Sequence, residues 1–240
     1  MVKEVHMKTT APDTTAPRSA QIITAARRLF ADAGYEGTSI AAIARTVGVA
    51  DGAIYRHFES KRDILHAVIT GFYEPLVEAA EAAVADHTDP RDRLRSLVRR
   101  NLRAYADDPL VCRLIIAEAR VLDGYYESSI AELSRRYTSL AVDAVADGIA
   151  AGVFREDVVP TVVRDMLFGA MEHMAWAALT GHRELDIDAA TETLMQLLLD
   201  GVAVRETPRT ELGSQLERLT DLVDRLEISG VTALNGGGAP

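Results

Sequence analysis

The chain lacks most of the features that announce an enzyme, a secreted scaffold or a membrane protein. Among its 240 residues stands one cysteine, Cys112, so neither an internal disulfide nor a thiolate metal site can be assembled within one chain, and a reducing compartment is the expected setting. No apolar run approaches the ~18 residues that a bilayer span requires. The N-terminus carries no hydrophobic stretch of the signal-peptide kind, so a cytoplasmic protein with no membrane association is expected. Aromatic residues make up 5% of the chain, glycine and proline are sparse, and no strand-like alternation of apolar and polar residues appears. The Glu-x-x-His pairs of a di-iron helical bundle are missing, and the adjacent Glu172 and His173 would point about 100° apart on a helix. Phosphate-binding glycine loops, dinucleotide fingerprints and nucleophile elbows are missing too. An enzyme is therefore not expected, and neither a cofactor nor a metal is called for.

What is present is helical periodicity. A hydrophobic content of 48%, with many Ala and Leu residues, predicts an all-α protein long enough for one small core and one of ordinary domain size. Residues 1–17 are rich in Thr, Pro, Ala and charge without an apolar period, and read as a flexible arm. Residues 18–65 form a first domain, with Ile22, Ile23, Ala26, Leu29 and Phe30 on one helix face, Gly34 as a left-handed stop and Thr38 as the cap of a second helix. Residues 66–206 form a larger helical domain. Its first helix starts near Lys61 and should kink or break near Phe72 because Pro75 falls inside it. Helices at about 91–106, 109–122, 126–151, 160–180 and 187–204 follow, with Asp107-Asp108-Pro109, Val159-Pro160 and Asp186 as starts. Over 207–228 a short extra amphipathic helix is expected, on which Leu212, Leu216, Leu219, Val223 and Leu226 make a seam of about two heptads that either pairs with a partner or folds back; 229–240 reads as a disordered tail.

The segment SIAAIARTVGVADGAIYRHF, residues 39–58, carries the chemistry. Two short helical patterns are hinged at Val47-Gly48-Val49, the arrangement of a helix-turn-helix whose second helix enters the major groove of DNA. The formal net charge of −10 opposes that reading only until it is divided along the chain. Residues 1–70 hold nine Lys and Arg against seven Asp and Glu; the rest hold 17 against 29. The excess acid thus lies away from the reading head, and affinity for duplex follows the local balance. That local balance is modest, which favours a dimer.

Arg18-Ser19 through Phe72, with AARRLFADAGYEGTSI, IARTVGV and AIYRHFESKRDIL, resembles the N-terminal domain of the TetR family of transcriptional regulators. The resemblance implies a double-stranded DNA operator as partner. It places Thr38 and Ser39 at phosphate, Gly52, Ala53, Tyr55, Arg56 and His57 on the recognition helix, and Lys61 at phosphate again. Helix N-terminal amides and hydroxyls suit anionic oxygens, and an ammonium serves as a point charge. Two positions depart from the family pattern: Ala50 stands where Ser or Thr often caps, and Asp51 adds negative charge. Asp51 either caps the helix or accepts from a cytosine amino group. Tyr55 packs or reaches DNA, Arg56 pairs with guanine or with phosphate, and His57 donates to phosphate or caps the helix end.

For the larger domain the resemblance implies a homodimer and a small effector. Phe72, Leu114, Arg120, Tyr126, Met171, Met174 and Trp176 are candidate pocket residues, with ordinary core packing as the competing role. The stretches CRLIIAEAR and FGAMEHMAW are similar to fatty-acid-responsive members, implying an apolar effector, a fatty acid or acyl-CoA. Val163, Leu167, Ala170, Met174, Leu194, Leu198 and Val202 are the expected dimer face of the last two helices, and a dimer implies a pseudo-palindromic site. Repression is the family default, with activation open. An architectural DNA-binding protein without effector and a helical adaptor are the competing readings.

Overall fold

In the computed structural model, residues 16–117, 124–203, 218 and 220 are described. Their regular structure is helical, with turns and isolated bridge residues between. Helix α1 (Arg18–Gly37) buries Ile22, Ala25, Ala26 and Phe30 along one face. Gly34 takes φ 75° and interrupts it, so the glycine acts as the left-handed stop its position implied, and Tyr35 then turns back onto Phe30 with ring centroids 5.4 Å apart. Helix α2 (Ile40–Val47) is capped by Ser39, whose Oγ accepts from the Ala42 amide at 3.1 Å. The expected cap, Thr38, instead lies inside, within 2.9 Å of the Gly34 carbonyl and 3.1 Å of that of Leu29, and fastens the end of α1. The backbone turns at Gly48, φ 76°, into α3 (Asp51–Ile54). This single helical turn is prolonged by the amides of His57 and Phe58 bonding back to the Ile54 carbonyl.

Helix α4 (Lys61–Ala85) is capped by Ser60 and turns Ile64, Leu65 and Val68 onto α1, completing the small core around Ile22, Ile43 and Ile54. It runs unbroken through Pro75. The proline lies on the exposed side, where the Gly71 carbonyl that loses its partner can tilt toward water, so the expected break does not occur. The position between residues 65 and 66 therefore falls inside a continuous helix shared by head and bundle.

Helices α5 (Pro90–Asp107), α6 (Pro109–Ala117), α7 (Ser129–Ala150), α8 (Pro160–Leu179) and α9 (Ile187–Val202) pack with α4 into the bundle. Proline at the first position of α5, α6 and α8 starts each where its missing N–H costs nothing. Helix α7 begins three residues later than the sequence suggests. Gly124 is left-handed, Tyr125–Glu127 form one 3-10 turn, and Ser128 supplies the cap. The bundle core is built from Leu94, Leu97, Val98, Leu102, Tyr137, Ala141, Val145, Phe154, Met171 and Met195. Phe154 lies so close to Gly148 that an added Cβ would meet its ring at 2.2 Å. Two contacts tie α1 to the α5–α6 corner: Arg27 pairs with Asp108, and the Arg113 guanidinium donates to the Ala31 carbonyl at 3.1 Å. The heptad seam, the far ends of arm and tail, and residues 118–123 lie outside the described residues.

Candidate nucleic-acid interface and effector cavity

On α3 and the turn that follows it, burial separates two sets of side chains. Ile54 is fully buried and Phe58 half-buried, whereas Asp51, Gly52, Tyr55, Arg56 and His57 are exposed and Ala53 is partly so. Asp51 is the first residue of the helix, and the cap position is Ala50, which makes no side-chain bond; the alternative of an Asp51 cap is not realised, and its charge instead complements the helix N-terminus. Arg56 makes no ion pair with any described residue, leaving its five N–H donors on the surface. Ser39 is exposed beside this face. Thr38 is 3% exposed and its hydroxyl is occupied by α1 carbonyls, so its side chain is not offered to phosphate. Lys61 is also engaged. Its Nζ donates to the Tyr35 carbonyl at 2.9 Å, lies 3.6 Å from Glu36 and sits 4.2 Å from the centre of the Tyr35 ring. Sequence reasoning passed over Arg45, an exposed cation in the last turn of α2 with no ion pair among the described residues. Its place on the polar face, opposite Ile43 and Ala44, was the available signal.

Inside the bundle a cavity of about 70 Å³, room for several water molecules, is lined from α4, α5, α6, α7 and α8. Phe72, Leu76, Ile115, Ile116 and Phe168 form its apolar wall, and Asn101, Tyr105, Cys112, Ser134, Tyr137, Thr138 and Glu172 bring polar atoms to it. Of the residues expected at a pocket, Phe72 lies on this wall. Leu114 is buried core. Met171 packs against the cavity's Asn101, its sulfur 3.5 Å from Nδ2; Met174 is half-buried against the core. Trp176 lines a shallow surface hollow with Ile116, Gly169, Glu172 and His173. Tyr126 is 76% exposed and sits on the 3-10 turn rather than on α7, away from the residues that line the cavity wall. Arg120 lies outside the described residues. The missed residues left a signal in α5, where Asn101 stands in an otherwise apolar stripe between Val98 and Leu102. Burial raises both cavity tyrosines, Tyr105 and Tyr137, above the ordinary phenol value, and pushes the Cys112 thiol up to about 12.

The residues expected at a dimer face divide by burial within the chain. Val163, Leu167 and Leu198 are buried in the chain's own core, while Ala170, Met174, Leu194 and Val202 are half-buried. Val162, Met166, Gly169, His173 and Trp176 make the exposed line of α8 at spacings of four, three, four and three, and Leu197, 68% exposed, projects from α9. A helix apolar on several sides does not disclose which side its own bundle will claim.

No group of three or more His, Cys, Asp or Glu side chains converges as a metal site among the described residues, and no described helix is long and apolar enough to cross a membrane. Residues 22–68 match the family model of bacterial regulatory proteins of the tetR family, and residues 87–202 match that of the tetracyclin repressor-like C-terminal domain. Over 186 residues the chain is 25% identical to the fatty acid metabolism regulator protein of Bacillus subtilis, covering 78% of this chain and 96% of that one. Identity to the transcriptional repressor KstR2 of Rhodococcus jostii is also 25%, over 190 residues, 78% of this chain and 91% of the relative. The crystal structure of the regulator FadR from Bacillus subtilis in complex with stearoyl-CoA superposes with a TM-score of 0.68 at 25% identity, covering 76% of this chain and 98% of that chain. With both family models matched in order and a helix-turn-helix whose reading face is exposed, the chain belongs to the TetR family of bacterial transcriptional regulators.

Proposed function

We propose that the chain is a cytoplasmic, ligand-responsive repressor. It binds a pseudo-palindromic operator as a homodimer and leaves it when an apolar effector enters the cavity between α4 and α8. One observation carries this reading: the exposed donors of Tyr55, Arg56 and His57 are mounted on a head whose floor is the start of α4, and the same helix lines the cavity with Phe72, Tyr73 and Leu76. Arg56 reads guanine through O6 and N7, and Ser39 and the neighbouring backbone amides hold phosphate. Arg45 adds a further cation to the head. Lys61 serves phosphate by exchanging its Tyr35 carbonyl for a phosphate oxygen. The dimer forms through Val162, Met166, Trp176 and Leu197, which sets two heads a helical turn or a multiple apart.

The effector class follows the relatives, a fatty acid metabolism regulator and a regulator crystallised with stearoyl-CoA. A cavity of about 70 Å³ is well below the roughly 300 Å³ at which ligand pockets begin, so an acyl chain must spread α4 from α6 and α7 to enter. Helix α6 contributes Cys112, Ile115 and Ile116 to the cavity and is tied to α1 through Arg113, so spreading it displaces the head. Ligand and operator then favour different states of one equilibrium. Fluorescence anisotropy of a bound duplex, titrated with oleate and stearoyl-CoA, tests the reading. A loss of DNA affinity of tenfold or more is expected; unchanged affinity reduces the protein to a constitutive binder.

A further inference from the structure

Two buried polar atoms among the described residues have no hydrogen-bond partner: the Tyr137 hydroxyl and Nε of Arg100. Tyr137 is 2% exposed and lines the α4–α8 cavity; Arg100 lines an adjoining groove of about 450 Å³ with Ser96, Arg99, Arg103 and Asp107. The two hollows share a border, Leu76 and Ala104, and the Arg100 guanidinium is near enough for its charge to act on the Tyr137 phenol. A buried donor without an acceptor is a standing cost, and two on facing helices point to a third party that supplies the acceptor.

Charge identifies that party's chemistry. Arg99 is held by Asp188 at 2.8 Å, whereas Arg100 and Arg103 form no ion pair with any described residue, and Asp107 is the one acid lining the groove. Elsewhere in the bundle arginines pair with acids, as at Arg93–Asp147, Arg95–Glu192 and Arg136–Glu81, or donate to backbone carbonyls, as at Arg113, Arg135 and Arg183, so this groove is left with more cations than anions next to an apolar cavity. At the cavity's polar side Glu172 acts on Tyr105 and repels a negative head from that end. We infer that cavity and groove are one site for an amphiphile, with its apolar chain among Phe72, Ile116 and Phe168. Its anionic head lies in the arginine groove of α5, where one oxygen accepts from the Tyr137 hydroxyl and from Arg100 Nε. The inference rests on the effector reading above and assigns its head-group contacts. A carboxylate and the phosphates of a coenzyme A thioester share the required chemistry.

Isothermal calorimetry with oleate, oleyl alcohol, oleoyl-CoA and coenzyme A, on the full chain and on Arg100→Gln, Arg103→Gln and Tyr137→Phe, tests it. Oleate should bind the unsubstituted protein about tenfold or more tightly than oleyl alcohol, the scale of one charge-assisted hydrogen bond, and Arg100→Gln should erase that preference. Tyr137→Phe should weaken oleate by about tenfold while leaving the ligand-free Tm unchanged or higher, because the hydroxyl it removes has no partner to lose. That combination separates ligand contact from a structural role and keeps the test alive if Arg100→Gln does not fold. A loss in Arg103→Gln confined to oleoyl-CoA assigns this arginine to the phosphates; a loss confined to oleate assigns it to the carboxylate. Equal affinity for oleate and oleyl alcohol, coenzyme A alone binding as tightly as its oleoyl ester, or a preference that survives both substitutions overturns the inference. If the unsubstituted protein binds none of the four compounds, the effector reading itself falls.

Discussion

Head and bundle use their charged residues in opposite ways. The head, residues 18–60, turns Arg45 and Arg56 outward without partners, on a surface whose side chains do little for its own stability. The bundle ties Arg93, Arg95, Arg99 and Arg136 to acids on neighbouring helices and Arg113, Arg135 and Arg183 to backbone carbonyls, whereas Arg100 and Arg103 form no ion pair with any described residue. Both proposed sites, for DNA and for effector, fall where cations lack partners. One pair crosses between the regions, Arg27 with Asp108.

The comparison is broken most severely by emptying the head's core. Ile43→Ala removes a fully buried side chain and should cost ~2–5 kcal/mol, enough to abolish DNA binding, while calorimetric binding of oleate by the bundle persists. Loss of both activities together would show that the regions do not fold as separable cores. On the bundle side, Gly148→Ala forces a Cβ against the Phe154 ring and should lower stability by ~1–3 kcal/mol, read as a reduced denaturation midpoint. Next in size, Leu197→Arg places a charge in the exposed line of α8 and α9; light scattering should report monomers, and cooperative operator binding should go with the dimer. Arg27→Ala should change stability little, its side chain being half exposed, but should reduce the effect of ligand on DNA affinity several-fold. An unaltered ligand effect would move the coupling elsewhere.

The smallest effect concerns Cys112. Burial chiefly, with the Asp108 charge adding to it, pushes the thiol from its ordinary 9.0 up to about 12. Below pH 9 the thiol is protonated whether folded or unfolded and its contribution to stability is fully present. As pH rises from 9 toward 12 the unfolded chain ionises first, and that contribution is lost. Wild type should therefore lose stability over this window relative to Cys112→Ala, and iodoacetamide at pH 8 should modify the folded protein far more slowly than the unfolded one.

The head was the more legible region because its signals are local. Gly34 and Gly48 occupy left-handed positions that few residues other than glycine adopt, and Ile54 and Phe58 stand on either side of the exposed Tyr55, Arg56 and His57. Even there, the choice between Thr38 and Ser39 as cap depended on how α1 ends, and the engagement of Lys61 depended on a carbonyl 26 residues away. In the bundle, the helix boundaries that fall among the described residues held to within a few residues because proline, glycine and capping side chains fix them locally. Facing did not. Helix α8 is apolar on more than one side, so Val163 and Val162 are equal candidates for core until the positions of α5 and α7 are known. The cavity was hidden for the same reason, its lining coming from five helices whose polar members, Asn101, Tyr137 and Glu172, each sit in an unremarkable run.

The central claim is that the exposed face of α3 reads a DNA sequence. It is tested most directly by selecting bound duplexes from a random pool with the wild-type chain and with Arg56→Ala. The account predicts a pseudo-palindromic sequence for the wild type, and for the variant a relaxed preference at one base position per half-site at a cost of ~1–3 kcal/mol. Failure of the wild-type protein to enrich any sequence at low salt would contradict it, as would an identical preference in the two proteins.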